Sequence, residues 1–433
     1  MEKVKIIGGG LAGTEAALYL AKKGVKVTLY DVKPKAFSPA HKSENFAELV
    51  CSNSLKSNDV YGNAAGLLKE EMRLLGSEII AAADKTRVPA GNALAVDREA
   101  FSSLLTERIK SESNITVRCE EVSEINFDEY TIIATGPLTI GGLSDKITET
   151  VKGKLHFYDA SAPIVTFESI DMENAFFGDR YGKGNADHIN CPMNKEEYVA
   201  FITELQSAER AELHEFEKTD VFEGCMPIEV MAARGINTLR FGPLKPTGLD
   251  DPKTGRWPYA CLQLRKENEE GTLYNLVGFQ TNLKWGEQKR VFSMIPALKN
   301  AEYARYGVMH RNTFINSTET LNPDYSMKEH PKTYFAGQIT GVEGYVESAA
   351  SGLCCAIYLA EKLRGNNVLP VSENTVMGAL AKYITTPNKD FQPMNANFGI
   401  LNCNTLIRDK AERKKSAAEK SLAEIKKFKE QLL

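Results

Sequence analysis

Gly8-Gly9-Gly10-Leu11-Ala12-Gly13 is the string that most restricts how this chain can fold. It stands between the apolar run Val4-Lys5-Ile6-Ile7 and an alanine-rich segment of helical pattern. The apolar run predicts a strand, the glycines a tight turn, and Val25-Lys26-Val27-Thr28-Leu29-Tyr30-Asp31 a second strand of the same βαβ unit. Gly8 suits the strand-to-helix turn, Gly10 lets backbone N–H groups approach a pyrophosphate, and Gly13 lets the helix pack close to the strand. Gly9, Leu11 and Ala12 complete the loop and the first helical turn. Asp31, ending the second strand, is placed to accept hydrogen bonds from ribose hydroxyls and disfavours a 2′-phosphate. A lone G-x-G-x-x-G is a weak signal, but strand, helix and acid-ended strand at this spacing predict a dinucleotide site.

Two later segments favour FAD over NAD there. Thr131-Ile132-Ile133-Ala134-Thr135-Gly136-Pro137 reads as a buried strand ending in a glycine turn, which makes Thr135 and Gly136 candidate cofactor contacts. Thr333-Tyr334-Phe335-Ala336-Gly337-Gln338 precedes Gly341-Val342-Glu343-Gly344-Tyr345-Val346-Glu347-Ser348 and a small-residue helix, Ala349 to Leu363. An ordinary strand–turn–helix connection would look the same. Beside the N-terminal fingerprint, however, it predicts a second helix N-terminus aimed at an electron-rich group, with Gly337, Gly344 and Tyr345 at the flavin.

At 433 residues the chain exceeds what one core holds, so two or three domains are expected. Strands and helices alternate to about Pro163 and resume near Tyr334, which predicts a discontinuous nucleotide domain, 1–164 and 321–433, around an insert, 165–320. A charged helix is expected in the insert from Lys195 to about Glu217. The tail from Arg408 carries nine Lys/Arg against five Asp/Glu, with Leu406, Ala417, Leu422, Ile425 and Phe428 near helical spacing; it reads as an amphipathic helix packed on the body. No stretch approaches the roughly 20 apolar residues of a membrane helix. With the first strand starting by Val4 there is no room for a signal peptide, and a cytoplasmic, soluble protein without membrane partners is expected.

Eight cysteines without regular spacing predict neither a disulfide framework nor a zinc site. His41, His156, His188 and His310 lack metal-ligand spacing, so structural or ligand-pocket roles suit them better, and no metal is expected. A buried core thiol is the expectation for Cys119, Cys261, Cys354 and Cys355. Cys225 differs because Pro227 suits the first position of a helix running through Met231 and Ala233, leaving the sulfur near a helix N-terminus that favours thiolate. Cys51, flanked by Leu49-Val50 and Ser52-Asn53-Ser54, has surroundings unlike a core; core and site readings of it stay open.

Several long strings carry a family resemblance. Ala36 through Ser54, Phe157-Tyr158-Asp159-Ala160, Phe222-Glu223-Gly224-Cys225-Met226-Pro227, Phe241-Gly242-Pro243-Leu244-Lys245-Pro246, Lys284-Trp285-Gly286-Glu287-Gln288-Lys289-Arg290 and Arg311-Asn312-Thr313-Phe314-Ile315-Asn316 resemble, in order, the folate- and FAD-dependent tRNA (uracil-54-C5)-methyltransferases. Departures are mild: Asp31 stands where glutamate is common, and Ile400-Leu401-Asn402-Cys403 replaces a proline-rich continuation. The resemblance implies an α/β fold, a discontinuous Rossmann-like FAD-binding domain of the GidA and glutathione-reductase kind with an inserted α+β domain. It also implies one-carbon transfer from 5,10-methylenetetrahydrofolate to C5 of a T-loop uridine of tRNA, with NADPH or NADH as reductant, by a monomer or homodimer. By motif match Cys225 is the nucleophile that adds to C6, and Cys51 serves the flavin side or C5 deprotonation.

RNA contacts are expected from the insert: Arg234, Arg240, Lys245, Arg256, Lys284, Lys289 and Arg290, with Tyr259 and Trp285 for stacking, although solvated surface explains each of them singly. The same motifs would serve a homologue acting on ribosomal RNA, and a non-methylating RNA-binding flavoprotein would keep the fold. The glycine-transferring wobble-uridine enzyme shares the Gly344–Ser348 turn, but it is a longer chain without these cysteine contexts.

Overall fold

A computed structural model describes residues 3–38, 40–139, 141–151, 154–182, 184–211, 226–366, 369–389, 391–401 and 407–432. A five-stranded parallel sheet runs in the order Thr333–Phe335, Thr131–Ile133, Lys3–Ile7, Lys26–Asp31, Ile115–Cys119. The chain therefore leaves this sheet after its fourth strand in sequence and returns almost 200 residues later to add the fifth. Parallel strands need covering on both faces, and the apolar runs at Val4–Ile7 and Thr131–Ile133 supply buried side chains for that purpose.

Helix Leu11–Lys22 follows the first strand directly, and helix Tyr345–Leu363 lies against it. The two pack backbone to backbone: a Cβ on Gly352 would stand 2.3 Å from the Ala12 carbonyl oxygen. The second helix begins four residues before the expected Ala349, because Gly344 at φ +119° turns the chain into it and burial of Val346, Glu347 and Ser348 commits that turn to the helix.

Between these strands lies a six-stranded antiparallel sheet, ordered Phe176–Phe177, His188–Met193, Ala260–Lys266, Leu273–Leu276, Ile164–Thr166, Tyr303–Arg305. Its core includes Ile189, Phe201, Leu262, Phe279 and Phe292. Strands Lys154–Ala160 and Met309–Ile315 pair with each other where the chain crosses between the two sheets.

Three further expectations need correction. The charged helix is Lys195–Ser207, opened by an Asn194–Glu197 capping box and closed where Ala208 turns extended, so it ends about ten residues early; Glu217 lies outside the described residues. Pro227 is the N-cap of helix Ile228–Ala233 rather than its first residue. Cys119 is exposed, because it is the last residue of the sheet's edge strand, beyond the cover that half-buries Ile115 and Val117 on the same face, whereas Cys261, Cys354 and Cys355 are buried. The tail forms helix Lys410–Glu430 and buries Ala417, Ile425 and Phe428; Leu406 lies outside the described residues. Among the described residues no helix is long and apolar enough to cross a membrane.

Two buried glutamates staple these helices. Glu71 accepts hydrogen bonds from the Val376 and Met377 backbone N–H groups and from the Ser421 hydroxyl, joining helix Val376–Thr385 to the C-terminal helix. Glu15 does the same for Ser77 Oγ and the N–H groups of Glu78 and Ile79. Burial, opposed by these hydrogen bonds, pushes each carboxyl up from the ordinary 4.5 to about 7. The unfolded chain releases each proton near 4.5 and the folded chain only near 7, so stability falls as pH rises across that window and levels off above it. The fall is about 3 kcal/mol per carboxyl. Glu71→Gln cannot ionise and is expected to remove about half of it, read as a smaller difference in Tm between roughly pH 5 and pH 8 than in the parent protein.

Candidate active site

The carboxyl ends of strands Lys3–Ile7 and Thr131–Ile133 open onto one long cleft. It is lined by Gly8, Gly9, Gly10, Leu11, Ala12, Asp31, Thr135, Gly136, Gly337 and Tyr345, so ten of the twelve residues expected at a cofactor meet in one place. The remaining two shape it from behind. A Cβ on Gly13 would sit 1.9 Å from the Gly8 carbonyl oxygen, and Gly344 turns the chain into helix Tyr345–Leu363 beside Lys56 and Glu347.

Each glycine has a separate reason. Gly8, at φ +106°, lies so close to Ala134 that a Cβ would be 2.5 Å from its carbonyl oxygen, whereas a Cβ on Gly10 would meet nothing within 4 Å. That opening lies at the N-cap of helix Leu11–Lys22, where no side chain caps the first N–H groups. An uncapped helix N-terminus above open space suits a pyrophosphate. Asp31 is half-buried at the same cleft and accepts hydrogen bonds from Gly9 N and Lys33 N, 2.8 and 2.9 Å long. Those bonds hold the carboxylate at the cleft wall with lone pairs to spare for hydroxyl donors.

Sequence reading missed other lining residues, among them Lys33, Glu48, Gln338 and Ser348. His41, read only as structural or pocket-lining, is on the wall with Nδ1 2.6 Å from Ser38 Oγ; burial, then the Lys33 charge, holds its pKa down, keeping the ring neutral.

Cys51 lies next to this cleft. Its backbone N–H donates to the Tyr345 hydroxyl at 2.6 Å, and Ser52 N donates to the same oxygen at 3.2 Å. Burial pushes the Tyr345 hydroxyl pKa up, so with two donors already received it keeps its own proton. Beyond Cys51 the loop is tied to the insert. Asn53 Nδ2 donates to the carbonyls of Val96, Lys266 and Glu267, and its Oδ1 accepts from Arg265 Nε at 3.0 Å. Arg265 also donates to Ser52 Oγ, and Arg98 bridges the Glu267 carboxylate to the carbonyls of Leu49 and Cys51. The Cys51 loop is thereby held between both sheets. No motif announced Arg98, Arg265 or Glu267, because their partners are far away in sequence.

Cys225 lies outside the described residues; the chain is next seen at Met226, buried, ahead of Ile228–Ala233. That helix is held by Glu229, whose carboxylate accepts from Thr281 Oγ1 and Asn282 N. Of the seven basic residues singled out for RNA, Arg234, Lys245, Arg256 and Lys289 are exposed. Arg240 stacks 3.7 Å over the Tyr259 ring, Lys284 pairs with Glu209, and Arg290 pairs with Glu287 and Glu204. Trp285, 60% exposed, stacks on Tyr306, which stacks on Tyr303. Among the described residues no group of three or more His, Cys, Asp or Glu is arranged to hold a metal ion.

The family described as "Glucose inhibited division protein A" matches residues 3–367. Among solved structures, Aquifex aeolicus GidA superposes with a TM-score of 0.72 at 16% identity, over 99% of this chain and 73% of that one, a likeness of fold. In sequence, the methylenetetrahydrofolate–tRNA-(uracil-5-)-methyltransferase TrmFO of Acetivibrio thermocellus is 58% identical over 431 residues, 99% of each chain. The protein of the same name from Listeria monocytogenes serotype 4b is 56% identical over the whole of both chains. With relatives this similar matched from end to end, the chain belongs to the TrmFO family.

Proposed function

We propose that this protein methylates C5 of uridine 54 in the T loop of tRNA. The one-carbon unit comes from 5,10-methylenetetrahydrofolate, the reducing equivalents from NADPH or NADH, and FAD occupies the glycine-lined cleft. The observation that carries this reading is the hydrogen bond from Cys51 N to the Tyr345 hydroxyl, which ties the Cys51 backbone to a residue lining a cleft suited to a dinucleotide. The relatives' printed name supplies the substrate classes.

The residues present fit FAD. The uncapped helix N-terminus over Gly10 would hold the pyrophosphate, Asp31 the ribose hydroxyls, and Thr135, Gly136, Gly337 and Tyr345 the flavin end. When bound, FAD supplies hydride chemistry and relays the one-carbon unit. C5 of uracil is a poor nucleophile, and a Cys225 thiolate adding at C6 would convert the ring to an enolate that attacks from C5. Cys51 is the candidate to take the C5 proton afterwards, because its loop is braced beside the cleft through Tyr345, Arg98 and Arg265. Tyr345 orients that loop and excludes water from its buried side.

The reading is tested with purified protein and unmodified tRNA transcript. A yellow protein that forms 5-methyluridine at position 54 only when methylenetetrahydrofolate and NADPH are both supplied is the expected result. Methylation confined to ribosomal RNA would replace the substrate, and a yellow protein that binds tRNA without methylating it would sink the activity.

A further inference from the structure

The order of the strands gives the cleft a direction. Strand Lys3–Ile7, which leads into the glycine loop, has Lys26–Asp31 on one side and Thr131–Ile133, then Thr333–Phe335, on the other. Asp31 and the Gly337-Gln338 turn, both on the cleft wall, therefore stand on opposite sides of Gly10, the turn two strands and about 10 Å across the sheet. With the ribose at Asp31 and the pyrophosphate over Gly10, the isoalloxazine ring extends toward Gln338. That much rests on the FAD reading above.

Gln338 is half-buried between the buried Gly337 and Ile339, and the surface it keeps belongs to the cleft. Its amide Nε2 donates to Glu343 Oε2 at 2.6 Å. Glu343 is buried and its backbone is held: its N–H donates to the Met394 carbonyl at 2.8 Å, and Gly341 and Gly344 set the chain on either side at φ +85° and +119°. A carboxylate accepts hydrogen bonds and donates none, so the amide meets it through NH2 and its two ends are no longer interchangeable. The other end, Oε1, makes no hydrogen bond with any described residue and is not sealed from solvent. What Gln338 has left for the cleft is an acceptor. A flavin brings the matching donor, because its oxidised ring carries N–H at N3 and reduction adds N–H at N5.

We propose that Glu343 is a positioning residue for the cofactor: through its hydrogen bond it turns the Gln338 amide so that the oxygen accepts a ring N–H of the flavin. Without the carboxylate the amide is free to turn over, and its NH2 would then oppose the flavin N–H, donor against donor.

The test is a double-mutant cycle read on the flavin. Glu343→Leu, Gln338→Leu and the double variant are compared with the parent for FAD affinity, by titrating flavin-stripped protein, and for the midpoint potential of the loaded protein; the Tm of the stripped protein reports folding. Each single variant is expected to bind FAD roughly fivefold more weakly, the value of one hydrogen bond, and the double variant no more weakly than Gln338→Leu alone, because Glu343 acts through that amide. If the bond is made to N5–H, the same fivefold appears instead as a potential about 20 mV lower, since only the reduced ring loses it. Where Glu343→Leu does not fold, Glu343→Gln keeps the size of the side chain, removes the demand for NH2 and completes the cycle. Losses that add in the double variant would show Glu343 acting on its own and overturn the proposal. A lowered Tm with unchanged affinity and potential would also overturn it, leaving the pair a prop of the fold. If the parent protein binds no FAD, the cofactor reading falls and this inference with it; if the parent binds FAD and every variant matches it in affinity and potential, this inference falls alone.

Discussion

Gly10→Val gives a folded, soluble and colourless protein. Gly10 has φ −73° and ψ −169°, a backbone conformation open to any residue, and a Cβ there meets no protein atom within 4 Å. The fold therefore tolerates the side chain, and the cofactor does not, because a branched group fills the space above the uncapped helix N-terminus where the pyrophosphate is proposed to sit. The expected loss of FAD affinity is on the order of a hundredfold or more, about 3 kcal/mol of overpacking. The variant should melt with the flavin-stripped parent and below the flavin-loaded one, since a ligand bound only to the folded state adds its binding free energy to stability. Gly13→Ala provides the contrast. Its Cβ would stand 1.9 Å from the Gly8 carbonyl oxygen, so the helix must move off the strand, and loss of soluble protein is expected. Gly10→Val with a full complement of FAD, measured by flavin absorbance after gel filtration, would remove the N-terminal cleft from the argument.

How much of this was readable beforehand follows the range of the interactions. The first βαβ unit is local: glycines that need special φ or close approach, an apolar strand on either side, and an acid at the end of the second, all within 31 residues. Thr131–Ile133 and Thr333–Phe335 were legible as apolar runs before glycine turns, although their adjacency in the sheet is not local. The C-terminal helix announced itself by phase, with Ala417, Ile425 and Phe428 on one buried face. Where tertiary burial overrode local pattern, reading failed: Val346 to Ser348 look like a turn and form a helix, Cys119 looks like a core thiol and faces solvent at a sheet edge, and the charged helix stops at Ser207. The bracing of the Cys51 loop was out of reach altogether. Arg98 meets Glu267 across 169 residues and Asn53 meets Arg265 across 212, and neither pair leaves a periodic or spaced signal. The site is consequently half motif and half topology. The glycines shape the cleft proposed for the cofactor, and the packing of one sheet against the other decides what faces it.

The two candidate sulfurs lead to the most demanding result. Cys225→Ala should abolish both methyl transfer and covalent capture of RNA carrying 5-fluorouridine at the target, because no thioether to C6 can form. Flavin content and reduction by NADPH should persist, since neither uses this thiol. Cys51→Ala should also lose turnover but still capture the analogue, because addition at C6 precedes the step assigned to Cys51 and fluorine cannot leave C5 as a proton does. The loop around Cys51 makes that variant interpretable. Its anchors are the Cys51 backbone N–H to Tyr345, the Cys51 carbonyl to Arg98, and the side chains of Ser52 and Asn53 to Arg265. These anchors are backbone groups and neighbouring side chains, which the variant keeps, and an unchanged flavin content and Tm will show that the loss of turnover is chemical rather than structural. The expected fall in kcat for either variant is at least about 10³-fold, or roughly 4 kcal/mol of barrier. Capture by Cys225→Ala with none by Cys51→Ala would exchange the two roles, and full methylation by either variant would end that sulfur's part in catalysis.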